Sequence, residues 1–398
     1  MENRRFWILR ILTLCLLLSS PFFSVLPALT HCKMGTFYGV LYFHEKGWID
    51  VKDLKISCIR LSISWGEVEP VKGKFLSSAS PLKKMDKCLQ LGIEVIPVIR
   101  SSGAGWAVKS FKSSASSPPK DLQKSYHPVY AHSKSYYEFI KKIAEKYRGK
   151  LSLVVIENEV TAKKFWEGTM DEYLRLLATA RKAFQDVDPH IKIADSGIAS
   201  FAWGVYMVYD LFKKGKSKEA FSFYKEYFHE AYFPTASSPE DLYKFLRKKN
   251  VREQIEKVEY LLNHLKKYVD VINFHFYESP HLLPYLVAFI KKKIGDLPLI
   301  CNEMGVRYRL NTFKRDEKSA EDIIKKLTIS KALGLSAVIW FPFQNDQHCS
   351  ERNFTCYSFP DSKVEVMRSN REVVMECLKE ALIYNFHGNE VKKRRVVI

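Results

Sequence analysis

Short apolar runs rich in β-branched residues alternate along the chain with longer stretches in which apolar positions recur every three or four residues. The first pattern is typical of buried parallel strands and the second of amphipathic helices. At 171–187, for example, Tyr173, Leu176, Ala180 and Phe184 lie on one helical face. The eight strand-like runs are Gly35–Phe43, Cys58–Trp65, Ile93–Ile99, Leu151–Glu159, Ile191–Ser196, Val269–Tyr277, Leu297–Glu303 and Ala337–Phe341.

Stretches with helical periodicity fall between these runs. The most regular are Ser80–Leu91, Ser135–Tyr147, Asp171–Val187 and Ser319–Leu333. Alternating strands and helices indicate parallel βαβ units, and eight such units in a chain of 398 residues predict an α/β fold, the (β/α)₈ TIM barrel. An open, doubly wound sheet is the alternative. It is disfavoured because no Gly-x-Gly-x-x-Gly sequence follows the first strand.

Two connections are longer than a barrel requires. The segment at about 101–134 is rich in Ser, Gly and Pro, and we expect it to form a loop over one face of the barrel. The segment at about 199–267 follows the fifth strand, is rich in Lys, Tyr and Phe, and has helical periodicity. It is predicted to be a long helical insertion, either a subdomain or a lid.

The first thirty residues differ from the rest of the chain. Arg4, Arg5 and Arg10 precede an apolar run at 11–18, and Ser and Pro residues with a second apolar patch follow. This order is typical of a secretory signal peptide cleaved before His31, and the alternative is an uncleaved N-terminal membrane anchor. Either predicts a secreted or cell-surface protein. The predicted divisions of the chain are a signal peptide or anchor at 1–31, the barrel at 32–387 and a basic tail at 388–398.

Export makes a disulfide plausible in chemical terms, because exported proteins meet an oxidising environment. Cys349 and Cys356 flank the polar stretch "CSERNFTC" and are the predicted pair. The glycosylation sequon at Asn353 lies in the same stretch, which favours an exposed loop. Cys58 and Cys301 stand in apolar runs and are expected to be buried thiols. No Cys or His spacing resembles a zinc site, and we predict no metal or organic cofactor.

The chain is strongly basic, with 63 Lys and Arg against 44 Asp and Glu and a formal net charge of +19. Much of the excess lies on predicted helices, where it would form a solvated, Lys-rich surface. An association with the membrane or with an anionic cell-surface polymer is the sharper interpretation. Nucleic acid is not an expected partner, because no nucleic-acid-binding motif occurs and export argues against it.

Polar residues stand at the ends of several predicted strands. Glu157, Asn158 and Glu159 end the fourth run, and Glu303 ends the seventh. Barrel enzymes build their sites where the carboxyl ends of the strands meet, so these side chains would converge on one mouth. Two carboxyl groups that face each other across a cleft are what glycoside hydrolysis requires. Other side chains expected at this mouth are Arg60, His275, Tyr277 and Trp340.

Four segments together resemble the glycoside hydrolases of clan A, the retaining (β/α)₈ glycosidases, with elements of families 5, 39 and 1. "CIRLSISWGEVEPVKGKF" resembles their second-strand segment, "IENEV" their fourth, "INFHFY" their sixth and "PLICNEMGV" their seventh. The resemblance covers nearly all of the chain after the N-terminal segment. It implies a retaining glycoside hydrolase that cleaves β-glycosidic bonds in an oligo- or polysaccharide by double displacement.

The resemblance also implies individual roles. Glu303 matches the nucleophile, and Glu159 matches the acid/base. Asn158 would contact the sugar 2-hydroxyl, while Arg60 and Tyr277 would keep Glu303 ionised and oriented. Trp340 would form a platform under a sugar ring. His275 is expected to support the site because of its place at the end of the sixth strand, not because of the resemblance. For Tyr277, Trp340 and His275 the alternative is a place in the core.

The residues that flank the Asn-Glu pair depart from the pattern, because many relatives have Trp before the pair and Pro after it. Here Glu157 and Val160 stand instead. If side chains alternate along the strand, Glu157 shares the face of Glu159 and points into the barrel. A buried carboxyl group needs a partner, and we expect Arg60 or His275. The alternative is a Glu157 side chain that reaches solvent.

Two other classes of function remain open at this point. The chain could be a catalytically degenerate barrel that binds glycans at the cell surface, or a surface-attached structural protein. The presence of both Glu159 and Glu303 favours the enzyme, because a barrel that has lost its activity usually lacks one of the two carboxyl groups.

Overall fold

The computed structural model of the chain describes residues 37–41, 56–111, 114–228, 236–305 and 316–341. Its centre is an eight-stranded parallel sheet with the strand order β5-β4-β3-β2-β1-β8-β7-β6. All eight runs predicted from the sequence are strands in this sheet. The strands are β1 Phe37–Leu41, β2 Cys58–Ser64, β3 Glu94–Arg100, β4 Leu153–Ile156, β5 Lys192–Ala194, β6 Ile272–Phe276, β7 Leu299–Met304 and β8 Ala337–Trp340.

The two edge strands of this sheet, β5 and β6, approach each other and nearly close it into a barrel. Two isolated parallel bridges join them, Ala194 with Val271 and Ile198 with Phe274. The predicted (β/α)₈ barrel is therefore confirmed, and the doubly wound alternative is wrong. Closure matters for function because it brings the carboxyl ends of all strands around one mouth.

Helices cover the outside of the barrel, and the four sequence predictions for them are correct to within a few residues. Their ends carry the expected signals: the Ser133 side chain accepts a hydrogen bond from the Tyr136 N–H, and Thr169 and Glu172 form a reciprocal capping box. The helices are α1 Trp65–Val68, α2 Ser80–Gln90, α3 Lys134–Lys146, α4 Met170–Val187, α5 Ser200–Lys213, α6 Ser217–Tyr227, α7 Pro239–Leu246, α8 Lys249–His264, α9 Leu283–Ile294 and α10 Asp316–Ala332.

The apolar core has two layers, as a closed barrel demands. The larger layer lies between the strands and the surrounding helices, where aromatic side chains such as Phe139 and Phe184 are fully buried. The smaller one fills the interior of the barrel. Its members are Leu41, Cys58, Ile96, Val98, Val155, Ala194, Val271, Ile300, Ala337 and Ile339.

The predicted helical insertion after the fifth strand is present as α5 to α8. Helix α8 packs against α4 and α9, so it occupies the place of a barrel helix, while α5, α6 and α7 are additional. Gln254 and Lys257 of α8 donate hydrogen bonds of 2.7 and 3.0 Å to the carbonyl oxygen of Thr161. The insertion thus supports the chain just beyond Glu159. Whether it also acts as a lid stays a prediction.

The main correction concerns the end of β4, which was predicted to reach Glu159 and stops at Ile156. Glu157 and Glu159 have left-handed backbone conformations, with φ of 67° and 40°. A residue with positive φ cannot continue a pleated strand, so side chains no longer alternate between the two faces. The strand pattern read from the sequence fails at the residues that form the candidate site.

Several predictions fall on residues that the structure does not describe. These are the signal peptide or anchor at 1–31, the Cys349–Cys356 pair, the sequon at Asn353 and the tail at 388–398. Within the described ranges, no helix has both the length and the apolar character needed to cross a bilayer. Cys58 and Cys301 are buried, as predicted.

Candidate active site

Four strands carry the predicted polar side chains to one region at the carboxyl end of the barrel. Arg60 projects from β2, Glu159 follows β4, His275 lies in β6, and Glu303 lies in β7. One carboxyl oxygen of Glu159, one of Glu303 and a ring nitrogen of His275 all lie within 4.8 Å of one another. The side chains of Glu159 and Glu303 are 10% and 15% exposed. The two carboxyl groups therefore lie close to each other and are largely desolvated.

Glu303 is held by a cation and a hydroxyl group. Arg60 Nη1 lies 2.6 Å from its Oε2, and the Tyr277 hydroxyl donates to its Oε1 at 2.5 Å. Arg60 also donates to the main-chain oxygen of Asn302 and, through Nη2, to Asn158 Oδ1 at 2.5 Å. Arg60 is itself only 6% exposed, so the ion pair satisfies a buried guanidinium that would otherwise be costly.

These neighbours decide the charge of Glu303. Burial alone raises the pKa of its carboxyl group, but the charges of His275 and Arg60 and the hydrogen bonds from Tyr277 and Arg60 outweigh it. The net result is a pKa below the ordinary range of Glu. Glu303 is therefore an ionised, oriented carboxylate at neutral pH.

Glu159 contacts the imidazole of His275 rather than a permanent cation. His275 Nδ1 lies 2.8 Å from Glu159 Oε1, and His275 is fully buried. Burial lowers the pKa of His275, but the negative charge of Glu303 and the hydrogen bond and charge of Glu159 raise it by more. The site thus pairs each carboxyl group with a different kind of partner.

Two asparagines determine which nitrogen of His275 carries hydrogen. The Asn302 main-chain N–H donates to Asn273 Oδ1 at 3.1 Å, which leaves Asn273 Nδ2 to donate to Asn302 Oδ1 at 2.9 Å. Asn302 Oδ1 is then the acceptor that faces His275 Nε2 at 2.8 Å, so Nε2 must be the donor. One proton is consequently shared across the contact between Nδ1 and Glu159. It is carried either by the carboxyl group or by the ring.

A glycine is required beside this histidine. Gly197 has φ of 75°, and a Cβ atom at this position would lie 2.5 Å from His275 Nε2. Any other residue would combine a strained backbone with a steric clash. The turn after β5 therefore approaches His275 as closely as its backbone allows, and its Ser196 carbonyl accepts the Glu159 N–H at 3.0 Å.

The cluster of Glu159, His275 and Glu303 also has the spacing of a cation site. The Arg60 guanidinium, 2.6 Å from Glu303, already supplies positive charge there and would repel a metal ion. The residues present therefore fit an organic substrate better than a metal.

Glu157 is fully buried, but its predicted partners are wrong. Its Oε1 accepts a hydrogen bond of 2.6 Å from the Ser101 main-chain N–H, while Arg60 and His275 are engaged with Glu303 and Glu159. The physical reason is the positive φ of Glu157, which turns its side chain away from the face on which Glu159 lies.

Trp340, the predicted sugar platform, ends β8 and is 3% exposed. Its role stays a prediction. Among the residues the sequence reasoning did not assign, Asn273 is two positions before His275 in β6 and so shares its face, a signal that strand alternation could have revealed. Ser101 carried no such signal, because its contribution is a main-chain N–H.

Comparisons with known proteins rest on structure alone, since no protein-family model and no curated protein matches the sequence. The chain is similar to the GH5_18 protein of Streptomyces cattleya solved in complex with GlcNAc, with 13% identity and a TM-score of 0.54, over 91% of this chain and 83% of that one. A family 39 glycoside hydrolase from Bacteroides cellulosilyticus WH2 has 14% identity and a TM-score of 0.50, over 78% and 56%.

The exo-β-1,4-mannosidase Op5Man5 from Opitutaceae bacterium strain TAV5 has 12% identity and a TM-score of 0.50, over 91% of this chain and 62% of that one. The chain thus spans less than two thirds of the family 39 enzyme and of the mannosidase. At such low identities the likeness concerns the fold. The chain has the (β/α)₈-barrel fold that these structures of glycoside hydrolase families 5 and 39 share.

Proposed function

We propose that the protein is a retaining glycoside hydrolase that cleaves β-glycosidic bonds in an oligo- or polysaccharide. The observation that carries the proposal is that one carboxyl oxygen of Glu159 and one of Glu303 lie within 4.8 Å of each other, with Arg60 paired to Glu303 and His275 hydrogen-bonded to Glu159. Retaining enzymes hold their carboxyl groups about 5–5.5 Å apart, so that one attacks while the other transfers a proton.

In the first step Glu303 attacks the anomeric carbon, and the bond to the leaving oxygen breaks. Glu159 gives its proton to that oxygen, so the product leaves as an alcohol. In the second step Glu159 takes a proton from water, the water oxygen bonds to the anomeric carbon, and Glu303 is released. The contact with His275 Nδ1 supports both steps, because it keeps a proton beside Glu159.

Asn158 is suited to hold the sugar. Its Oδ1 accepts from Arg60 Nη2, which leaves the amide nitrogen as the group available to a sugar hydroxyl. Hydrogen bonds to the 2-hydroxyl strengthen in the transition state of such reactions. The same guanidinium thus orients both Asn158 and the nucleophile.

The first prediction concerns stereochemistry. Two displacements at one carbon restore its configuration, so the first-formed sugar should be the β-anomer when a β-glycoside is hydrolysed. The measurement is proton NMR of the reaction during the first minutes, before mutarotation, with a panel of aryl β-glycosides and β-glucans. First-formed α-anomer would contradict the double displacement and indicate an inverting enzyme.

The second prediction concerns Arg60. Arg60→Met removes the cation beside Glu303, so the pKa of Glu303 should rise and the acid limb of the kcat/KM profile should move to higher pH. Loss of one partner of a buried ion pair should also lower the free energy of unfolding at neutral pH by about 3–5 kcal/mol. The depressed pKa of Glu303 stabilises the fold fully above the ordinary pKa of Glu, so the loss of stability should shrink as pH falls from that ordinary pKa through the depressed one.

Arg60→Lys is the matched control, because it keeps the charge and loses the two-pronged contact with Glu303 and Asn158. Its acid limb should stay closer to that of the wild type than the limb of Arg60→Met. An acid limb at the same pH in all three proteins would mean that Glu303 is not the group whose ionisation activity requires.

The alternative is a barrel that binds glycans without cleaving them. The same assay separates the two, since a binding protein would retain affinity for a glycan by calorimetry and release no product from any aryl glycoside. We further propose export, on the pattern of residues 1–31, and association of the basic surface with an anionic polymer or membrane, on the net charge of +19.

A further inference from the structure

The chain leaves β4 by an unusual backbone path. Glu157 and Glu159 both have positive φ, although neither is Gly, and Asn158 lies between them. Bulky residues in this region of φ are strained and persist only when surrounding contacts hold them. The turn at 157–159 therefore requires contacts that stabilise it.

One contact replaces a rung of the parallel sheet, that is, a main-chain hydrogen bond between two neighbouring strands. The ladder pairs Val98 with Val155 and Ile99 with Ile156, and the Glu157 N–H continues it by donating to the Ile99 carbonyl at 2.9 Å. In a parallel ladder the next rung would join the Ser101 N–H to the Glu157 carbonyl. The Ser101 N–H donates instead to the Glu157 side chain, at 2.6 Å from Oε1.

The surroundings of Glu157 favour the uncharged form of its carboxyl group more than water does. The residue is fully buried, and the main-chain N–H of Ser101 is its firm hydrogen-bond donor, at 2.6 Å from Oε1. Burial raises the pKa of its carboxyl group, and the charge of Arg100 in β3 and hydrogen bonds from Ser116 and Ser101 offset this only in part. The other titratable groups near it are the hydroxyls of Tyr136 in α3 and Tyr173 in α4, whose own pKa values are raised by burial.

We propose that Glu157 is a positioning residue whose buried carboxyl group takes the place of a main-chain rung between β3 and β4. It thereby holds the left-handed turn that directs Glu159 towards His275 and Glu303. A second hydrogen bond holds residues 157–159 on the side of β5, where the Glu159 N–H donates to the Ser196 carbonyl oxygen. These two hydrogen bonds together hold Glu159 in one position. Without the bond to Glu157, the Ser101 N–H loses its acceptor and the turn loses its support.

The catalytic part of this inference rests on the proposed function, and the rung itself does not. Two variants separate the contributions of Glu157. Glu157→Leu has a similar bulk and no acceptor for the Ser101 N–H, whereas Glu157→Gln keeps an acceptor oxygen and is uncharged at every pH. Glu94→Gln is the matched control, because Glu94 begins β3 at the opposite end of the barrel.

The experiment on the rung is amide hydrogen exchange of Ser101, which needs no substrate. We expect faster exchange in Glu157→Leu, and wild-type exchange in Glu157→Gln and Glu94→Gln. Wild-type protection of Ser101 in Glu157→Leu would overturn the proposal, whether or not the protein hydrolyses glycosides. Absence of turnover in the wild-type protein would count against the proposed function alone.

The experiment on positioning compares leaving groups. A displacement of about 1 Å costs on the order of 10²-fold, so Glu157→Leu should lose roughly that factor in kcat/KM for glycosides that need protonation. Activated aryl glycosides should lose much less, because their leaving groups need no proton from Glu159. Glu157→Gln should restore most of the difference. Equal losses on both substrate types, or a Gln variant as impaired as the Leu variant, would show a merely structural role and overturn the assignment.

A thermal measurement tests whether folding raises the pKa of Glu157. An acid whose pKa is raised by folding stabilises the fold fully below its ordinary pKa, and this contribution is lost as pH rises towards the folded-state pKa. The melting temperature of Glu157→Gln should therefore rise relative to that of the wild type as pH increases above the ordinary Glu range. A constant difference between the two proteins would contradict a raised pKa of Glu157.

Discussion

Glu303→Ala is expected to lower kcat by roughly 10⁴-fold or more on every substrate, the scale on which loss of a nucleophile acts in other enzymes. The Glu303 carboxylate is the nucleophile that bonds to the anomeric carbon. Among the described residues, no other carboxyl group takes its place between Arg60 and Tyr277. The measurement is steady-state hydrolysis of an activated aryl β-glycoside, with Glu138→Ala on the exposed face of α3 as the control.

The variant also allows a chemical test of the assignment. A small anion such as azide can enter the space left by the carboxylate and attack the anomeric carbon directly. One displacement inverts the configuration, so the product should be an α-glycosyl azide, identified by NMR. Because Glu303→Ala leaves the buried Arg60 unpaired, Glu303→Gln serves as a second variant of nearly the same volume. Substantial turnover by a folded Glu303→Gln would mean that the nucleophile lies elsewhere.

Glu159→Ala is expected to have an effect that depends on the leaving group. Positioned proton transfer contributes roughly 10²–10⁴-fold, and only a poor leaving group needs it, so kcat/KM should fall by that factor for oligosaccharides. Activated aryl glycosides should form the glycosyl-enzyme at nearly the wild-type rate and then accumulate it. The measurement compares kcat/KM and burst amplitude for a series of aryl glycosides whose phenols differ in pKa.

Azide distinguishes this variant from the first. In Glu159→Ala the anion attacks the glycosyl-enzyme formed on Glu303, so two displacements occur and the product should be a β-glycosyl azide. The two variants should thus give azides of opposite configuration from one substrate. If losses in Glu159→Ala were equal for good and poor leaving groups, or if both variants gave the same azide, the two roles would be assigned wrongly.

Most of the fold was accessible from the sequence because it depends on local periodicity. A buried parallel strand must be apolar on both faces and a barrel helix on one face, and both patterns are written in consecutive residues. The eight strands and the helical insertion follow from them, as do the positions of Arg60, His275 and Glu303 on β2, β6 and β7. These positions are predictable because parallel strands of a closed barrel end at one face.

The tertiary structure alone decided the hydrogen-bond partners of the side chains in the candidate site. Alternation along a strand placed Glu157 beside Glu159, and it failed because two positive φ values end the pleat, a property that depends on contacts with β3 and β5. The hydrogen on His275 Nε2 likewise depends on how Asn273 and Asn302, which are far apart in sequence, orient each other. The sequence by itself thus determined which side chains stand at the mouth of the barrel. Their protonation and direction were determined by long-range hydrogen bonds, which no local pattern encodes.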